Sequence, residues 1–229
     1  MAASEKHRWQ FAPRFRRNAF DWHSEPAILR VRQAVAEIGK ARRRDPVLAA
    51  GAVLFLERVS PALEHVDGSS GAIGSAVNRA IEQLVPLIAS APVDIGRRSV
   101  WLERLWEAYA AEAILYIETL GDFWGDLCAN RQLASAWADA LIKDLRRSWE
   151  QELPGHYFHG TTVCLSSLLV AERYQELLGL LDKGAICVLA VSALGCKGTG
   201  RNGKEARGAR LCGSLAWADR QPRPDCNRV

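Results

Sequence analysis

No stretch of this chain gathers the ~18 apolar residues that a membrane-spanning helix needs, and no hydrophobic leader core follows Met1. A membrane role is therefore not expected, and a reduced, cytoplasmic setting is. Strand signals are missing too: no alternating apolar run of strand length competes with the helical patterns. Zinc spacing is absent, since Cys187, Cys196, Cys212 and Cys226 form no C-x₂₋₄-C knuckle. Cys128 and Cys164 sit in or beside apolar helical patterns and read as small buried hydrophobes. There is no G-x-x-x-x-G-K-[ST], no G-x-G-x-x-G after a strand and no G-x-S-x-G. Gly198-Thr199-Gly200-Arg201-Asn202-Gly203-Lys204 looks like a phosphate loop only superficially, because no strand precedes it. No cofactor and no metal are expected.

What is present is apolar residue in quantity: 48% of the 229 residues, enough for a sizeable core. The net charge of +4 conceals a partition. Residues 1–44 carry 11 Lys/Arg against 4 Asp/Glu, net +7; residues 45–183 carry 11 against 19, net −8; residues 184–229 carry 8 against 3, net +5. An acidic body thus lies between a basic arm and a basic tail. Three segments follow: a basic aromatic arm over 1–23, a helical-repeat-like domain over 24–183 and a low-order tail over 184–229.

The body reads as about eight helices. Ser24-Glu25-Pro26 and Asp45-Pro46 are start signals, each placing Pro where its missing N–H costs nothing. Ile28, Val31, Val35 and Ile38 form the first stripe, closed by the basic Arg42-Arg43-Arg44; Leu48, Ala52, Phe55, Val59 and Leu63 form the second, which Pro61 should end or kink. After the turn Asp67-Gly68-Ser69-Ser70-Gly71, a third stripe runs through Ile73, Val77, Ile81, Leu84 and Ile88 across Pro86. Asp94 can open a fourth helix with Trp101, Leu102, Leu105, Trp106 and Tyr109. A fifth is expected near Ala113 to Leu120, then a short segment from Phe123 to Cys128 set off by Gly121. Asn130 can cap a sixth carrying Trp137, Leu141, Leu145 and Trp149, with Pro154-Gly155 ending it. A seventh (about Thr161 to Ala171) and an eighth (about Tyr174 to Asp182) follow. The fold class is all-α, with antiparallel helical pairs forming an α-solenoid-like or irregular helical array.

The tail breaks this pattern. Gly195, Gly198, Gly200, Gly203, Gly208, Pro222 and Pro224 crowd into it, with four of the six cysteines and no apolar period. Given permitted codons and read one nucleotide later, Lys197 to Ala216 can yield KALVAMGKKREALAYAEAS, a helix–turn–helix pattern with Gly at the turn. Its A-L-V-x₂-G-K-x₂-E-A-L-x-Y-A resembles the helix–turn–helix of tetratricopeptide-like repeats. The tail is therefore read as a frameshift product of a longer helical protein. Residues 24–183 are similar to the N-terminal part of uncharacterised bacterial helical proteins. That resemblance implies a repeat-like array truncated near residue 183, and it brings no catalytic residues with it.

Four features could carry chemistry. In the arm, Arg14, Arg16, Arg17 and Trp22 interleave guanidinium and ring, as a nucleic-acid-tracking arm requires. An arm at +7 can equally lie along a body at −8 and cap its first helical pair. Gly121-Asp122-Phe123-Trp124-Gly125-Asp126 puts two carboxylates beside rings, suited to acid/base work or to cradling a sugar; capping or solvation of Asp122 and Asp126, and packing of Trp124, account for the same residues. His156 and His159, three apart, could share a metal only with a third ligand that no neighbouring sequence supplies. Gly160-Thr161-Thr162 could cradle an anion or simply cap a helix.

The expected function is a non-enzymatic helical scaffold that binds a protein partner. The alternative is a nucleic-acid-associated protein using the N-terminal arm. A second alternative is a small-ligand enzyme around Asp122, Asp126 and His159, which requires those side chains to share a pocket. Self-association is expected if the last helical pair leaves an apolar face uncovered.

Overall fold

A computed structural model describes residues 7–40, 46–150 and 158–182, all within one unit of the chain. Helix α1 spans Ser24–Lys40 and α2 spans Pro46–Ala62. Pro46 takes the first helical position, where its missing N–H costs nothing; Pro61 lies one residue from the end, where, with no N–H to give the Glu57 carbonyl, it breaks the ladder as the helix stops. The Pro61 carbonyl instead accepts the N–H of Asn18 at 3.0 Å. In the next turn Asp67 Oδ1 accepts the Ser69 N–H at 2.9 Å, and Gly71 adopts φ +70° at the start of α3 (Ala72–Ala89). Asp94 caps α4 (Ile95–Ala110) by accepting the Arg97 N–H at 2.9 Å. After α5 (Trp124–Cys128), Asn130 caps α6 (Arg131–Glu150) through the Leu133 N–H at 3.0 Å. Helix α7 covers Thr161–Val170, and residues 174–182 form a last helix, α8. No strand occurs among the described residues, and the fold is an all-α helical array.

The apolar stripes meet each other. Val31 and Ile38 of α1, Phe55 and Leu56 of α2, Ile81 and Leu84 of α3, and Leu102 and Leu105 of α4 are all buried. Fully burying each such side chain contributes about 1.5–3 kcal/mol. The main packing contacts join α1 to α2 and α3, α2 to α3 and α4, α3 to α5, and α7 to α5 and α6. Helices therefore meet neighbours next or next-but-one in the chain, a layered order rather than a closed bundle.

One expected helix is absent. Residues 113–117 are bends and irregular backbone, and Glu118–Phe123 is a 3₁₀ turn leading into α5. The cause is Glu112, whose Oε1 accepts the N–H groups of Tyr116 (3.0 Å) and Ile117 (2.8 Å). A continuing helix would give those N–H groups to backbone carbonyls, so the side chain competes with it. Gly121 is not a breaker either. It lies inside the 3₁₀ turn, and a Cβ there would overlap Thr162 and approach the Tyr109 hydroxyl at 2.9 Å.

A buried cation joins two helix ends. Arg98 donates through Nη1 to the carbonyls of Ile88 and Leu127, both at 3.0 Å, and through Nη2 to Ala91 at 2.8 Å and Ala89 at 3.3 Å. It thereby sets positive charge against the C-terminal carbonyls of α3 and α5. Burial lowers its pKa, and a guanidinium stays charged regardless. Ion pairs hold α8: Arg173 bonds Asp139 and the Ser135 carbonyl of α6 and also Glu176, while Arg131 pairs with Glu172.

The arm docks on the first helices. Trp9, Phe11 and Phe15 are buried, and Phe11 and Phe15 meet Phe55 edge to face at 5.9 and 5.2 Å. Trp9 lies over Gly51, where any Cβ would overlap its ring. Glu37 accepts the N–H groups of Gln10 (2.6 Å) and Phe11 (3.1 Å), and Arg58 donates to the Ala12 carbonyl at 2.8 Å. Arg42-Arg43-Arg44, Pro154-Gly155, His156 and the whole 184–229 tail, with its frameshift expectation, lie outside the described residues.

Candidate functional site

Beyond Phe15 the arm crosses from α2 to the start of α1. Asn18 turns the chain with φ +54°, its N–H fixed on Pro61, and the Trp22 carbonyl accepts the Asp67 N–H at 2.9 Å. The segment between is held at both ends and lines two grooves.

The first groove, about 640 Å³, is lined by Arg14, Arg16, Arg17, His23 and Arg30 around Phe20, with Asp21 the one acid. Arg17 is committed to Glu64 at 3.1 Å, and Arg16 spends its Nε on the Pro13 carbonyl at 3.1 Å. Arg14 and Arg30 form no ion pair among the described residues. The second groove, about 490 Å³, is lined by Phe20, Trp22, His65, Val66 and Ile114 together with the carboxylates of Asp21, Glu64 and Asp67. Trp22 is 66% exposed and shares this lining with Phe20, Val66 and Ile114, so its ring belongs to an apolar patch rather than standing alone. The Ser69 backbone N–H, then its hydroxyl, hold the Asp67 carboxyl below its ordinary range. Asn18, Phe20 and Asp21 line both grooves, so the two adjoin along this segment.

The structure thus brings Arg14, Arg16 and Arg17 together and sets Trp22 beside them. Phe20, His23, Arg30, His65 and Ile114 also belong to this face, and the sequence does not single them out. Arg30 faces away from the α1 stripe, but nothing in the chain's order says that Arg14 folds back beside it.

The other candidates do not converge. Trp124, considered for ligand stacking, is instead fully buried among Trp106, Tyr109 and Trp137, so no face of its ring is open to a ligand. Asp122 and Asp126 are exposed on the 3₁₀ turn and α5, and neither groove is lined by them or by His159. His159 is tied into the scaffold: its Nε2 meets the Tyr109 carbonyl at 2.8 Å, its own carbonyl accepts the Tyr109 hydroxyl at 3.0 Å, and the rings lie 4.1 Å apart. Burial, and then the nearby carboxylates of Glu118, Glu112 and Asp122, push the Tyr109 phenol up to about 12. Thr161 donates to the Phe158 carbonyl at 2.6 Å and so fastens the turn rather than opening an anion cradle. No group of three metal-ligating side chains occurs among the described residues. Cys128 and Cys164 are buried free thiols, each pushed up to about 12 by burial and so inert as nucleophiles.

No described helix is long and apolar enough to cross a membrane. Neither a protein-family model, nor a curated protein, nor a solved structure matches the chain.

Proposed function

We propose that this chain is a non-enzymatic helical scaffold, working in a reduced cytoplasmic setting, that binds a protein partner on the arm face. The observation that supports this reading is the pair of adjoining grooves, one cationic and one that sets the exposed Trp22 with Val66 and Ile114 beside the carboxylates of Asp21, Glu64 and Asp67. Aromatic anchors beside orienting charges are the usual energetic centre of a protein interface. The next and next-but-one helix packing favours a repeat-like array, the architecture that tetratricopeptide-like proteins use to present such surfaces. Leu169, Tyr174 and Leu178 expose a second apolar face on α7 and α8, where self-association belongs to the same reading.

The nucleic-acid alternative loses ground to the burial of Trp9, Phe11 and Phe15, because a ring in the core cannot stack a base. The enzyme alternative loses ground to the tether on His159 and the exposure of both aspartates. The test is selection of a random-peptide display library on the immobilised protein. Enriched peptides combining acidic and aromatic or aliphatic residues, lost on Arg14→Glu with Trp22→Ala, are expected. Turnover in an activity screen that disappeared with His159→Ala or Asp126→Asn would overturn the proposal.

A further inference from the structure

We infer that the cationic groove recognises a phosphorylated side chain on the partner segment, a step that rests on the peptide-binding reading above. The argument begins with charge. Arg14, Arg16, Arg17, Arg30 and His23 face one concavity, opposed within it only by Asp21, with Glu64 pairing Arg17 from outside the lining. The four guanidinium charges outnumber Asp21 and Glu64, and an anion entering the groove relieves their mutual repulsion, which solvent screens only in part. A single carboxylate neutralises only one of the two charges left over when Asp21 and Glu64 are set against the four arginines. A phosphate, at about −1.5 to −2 and with three acceptor oxygens, matches several guanidinium forks at once.

Geometry narrows the ligand further. Arg14 and Arg30 form no ion pair among the described residues, and Arg16, with its Nε on the Pro13 carbonyl, shows no partner for its terminal nitrogens among them. Arg17 is steadied by Glu64, so part of the cradle is ordered before a ligand arrives. The charge is concentrated in a pocket-sized hollow of about 640 Å³ rather than spread as a stripe. A nucleic-acid strand, with a phosphate at every residue, would call for an extended track and for rings to stack its bases. The one large exposed ring here, Trp22, belongs to the neighbouring groove, which is lined by Val66 and Ile114. One phosphate in the first groove and an apolar side chain a few residues away in the second is the arrangement that occupies both. An extended peptide at ~3.3 Å per residue spans adjoining hollows of this kind within a few positions.

The experiment uses the full chain and two oriented peptide pools, identical except that the fixed central residue is serine or phosphoserine. Binding is read by fluorescence anisotropy, with inorganic phosphate and a single-stranded oligonucleotide as further probes. The phosphoserine pool should bind roughly tenfold more tightly than the serine pool. Arg14→Gln combined with Arg30→Gln should erase that difference, whereas Trp22→Ala should weaken both pools alike. These side chains are exposed, so circular dichroism of the variants should be unchanged. Equal binding of the two pools would overturn the phosphate inference and leave the peptide reading standing. Inorganic phosphate competing at concentrations as low as the phosphoserine pool would overturn it in favour of a free phosphorylated ligand. Binding of the oligonucleotide alone, steeply weakened by salt, would overturn both readings.

Discussion

Replacing Arg98 with methionine should be among the most damaging single changes to this fold. The side chain donates to four carbonyls, those of Ile88, Ala89, Ala91 and Leu127. Methionine fills much of the stem's volume and donates nothing. Ile88 and Ala91 keep a backbone donor each, from Ala91 at 3.3 Å and Val93 at 2.9 Å, so the loss falls on Ala89 and Leu127. A buried carbonyl left without its donor costs about 1–3 kcal/mol, so two give roughly 2–6 kcal/mol. Relief from burying a lone cation offsets part of that, and the net expectation is about 3 kcal/mol. Arg98→Lys, which keeps the charge but not the fork, should lose about half as much. Guanidinium unfolding at neutral pH, followed by helical ellipticity, measures both. The midpoint should fall at unchanged slope, and the melting temperature should drop by roughly 6–12 °C for a chain of this size. An Arg98→Met protein within ~1 kcal/mol of the parent would refute the idea that this guanidinium ties α3 to α5.

Other outcomes follow from the same packing. Burial raises the Glu112 carboxyl from its ordinary value to about 7, so the protonated form is the one the fold favours. Its stabilising contribution is complete below the unfolded value near 4.5 and is lost as pH rises through about 7, a swing of at most ~3 kcal/mol; Glu112→Gln should flatten that part of the stability–pH curve. Gly51→Ala should push Trp9 off α2, costing about 1–3 kcal/mol and speeding tryptic cleavage at Arg14, Arg16 and Arg17. Arg173→Ala should cost only ~1 kcal/mol globally yet raise amide exchange selectively in residues 174–182, since its partners Asp139 and Ser135 anchor that helix.

How much of this is written in the chain depends on whether one residue decides the feature. Asp94 and Asn130 each set a helix start alone, by capping an N–H three residues on, and both are legible in the sequence. The stripe through Ile73, Val77, Ile81, Leu84 and Ile88 is legible for the same reason, since 3.6-residue spacing needs no tertiary knowledge. Glu112 is not legible: a carboxylate at a helix end is ordinary, and only the structure shows it folding back on Tyr116 and Ile117. Arg98 cannot be told from Arg97 by sequence, although one is buried and the other lies 5.6 Å over the Trp101 ring. The arm's attraction to the body follows from charge, but its anchors are the rings over Gly51 and Phe55. The two-groove face joins residues from the arm, α1 and the α2–α3 turn, and no local pattern records such a meeting.

The claim that the arm face receives a protein segment is tested most directly by hydrogen exchange on the full chain with and without a peptide enriched by display. The account predicts slowed exchange over residues 13–23 and 64–68, the segments that line the two grooves, with the slowing lost in Arg14→Glu/Trp22→Ala. Protection centred instead on 121–126 and 158–162, with the arm unchanged, would contradict it.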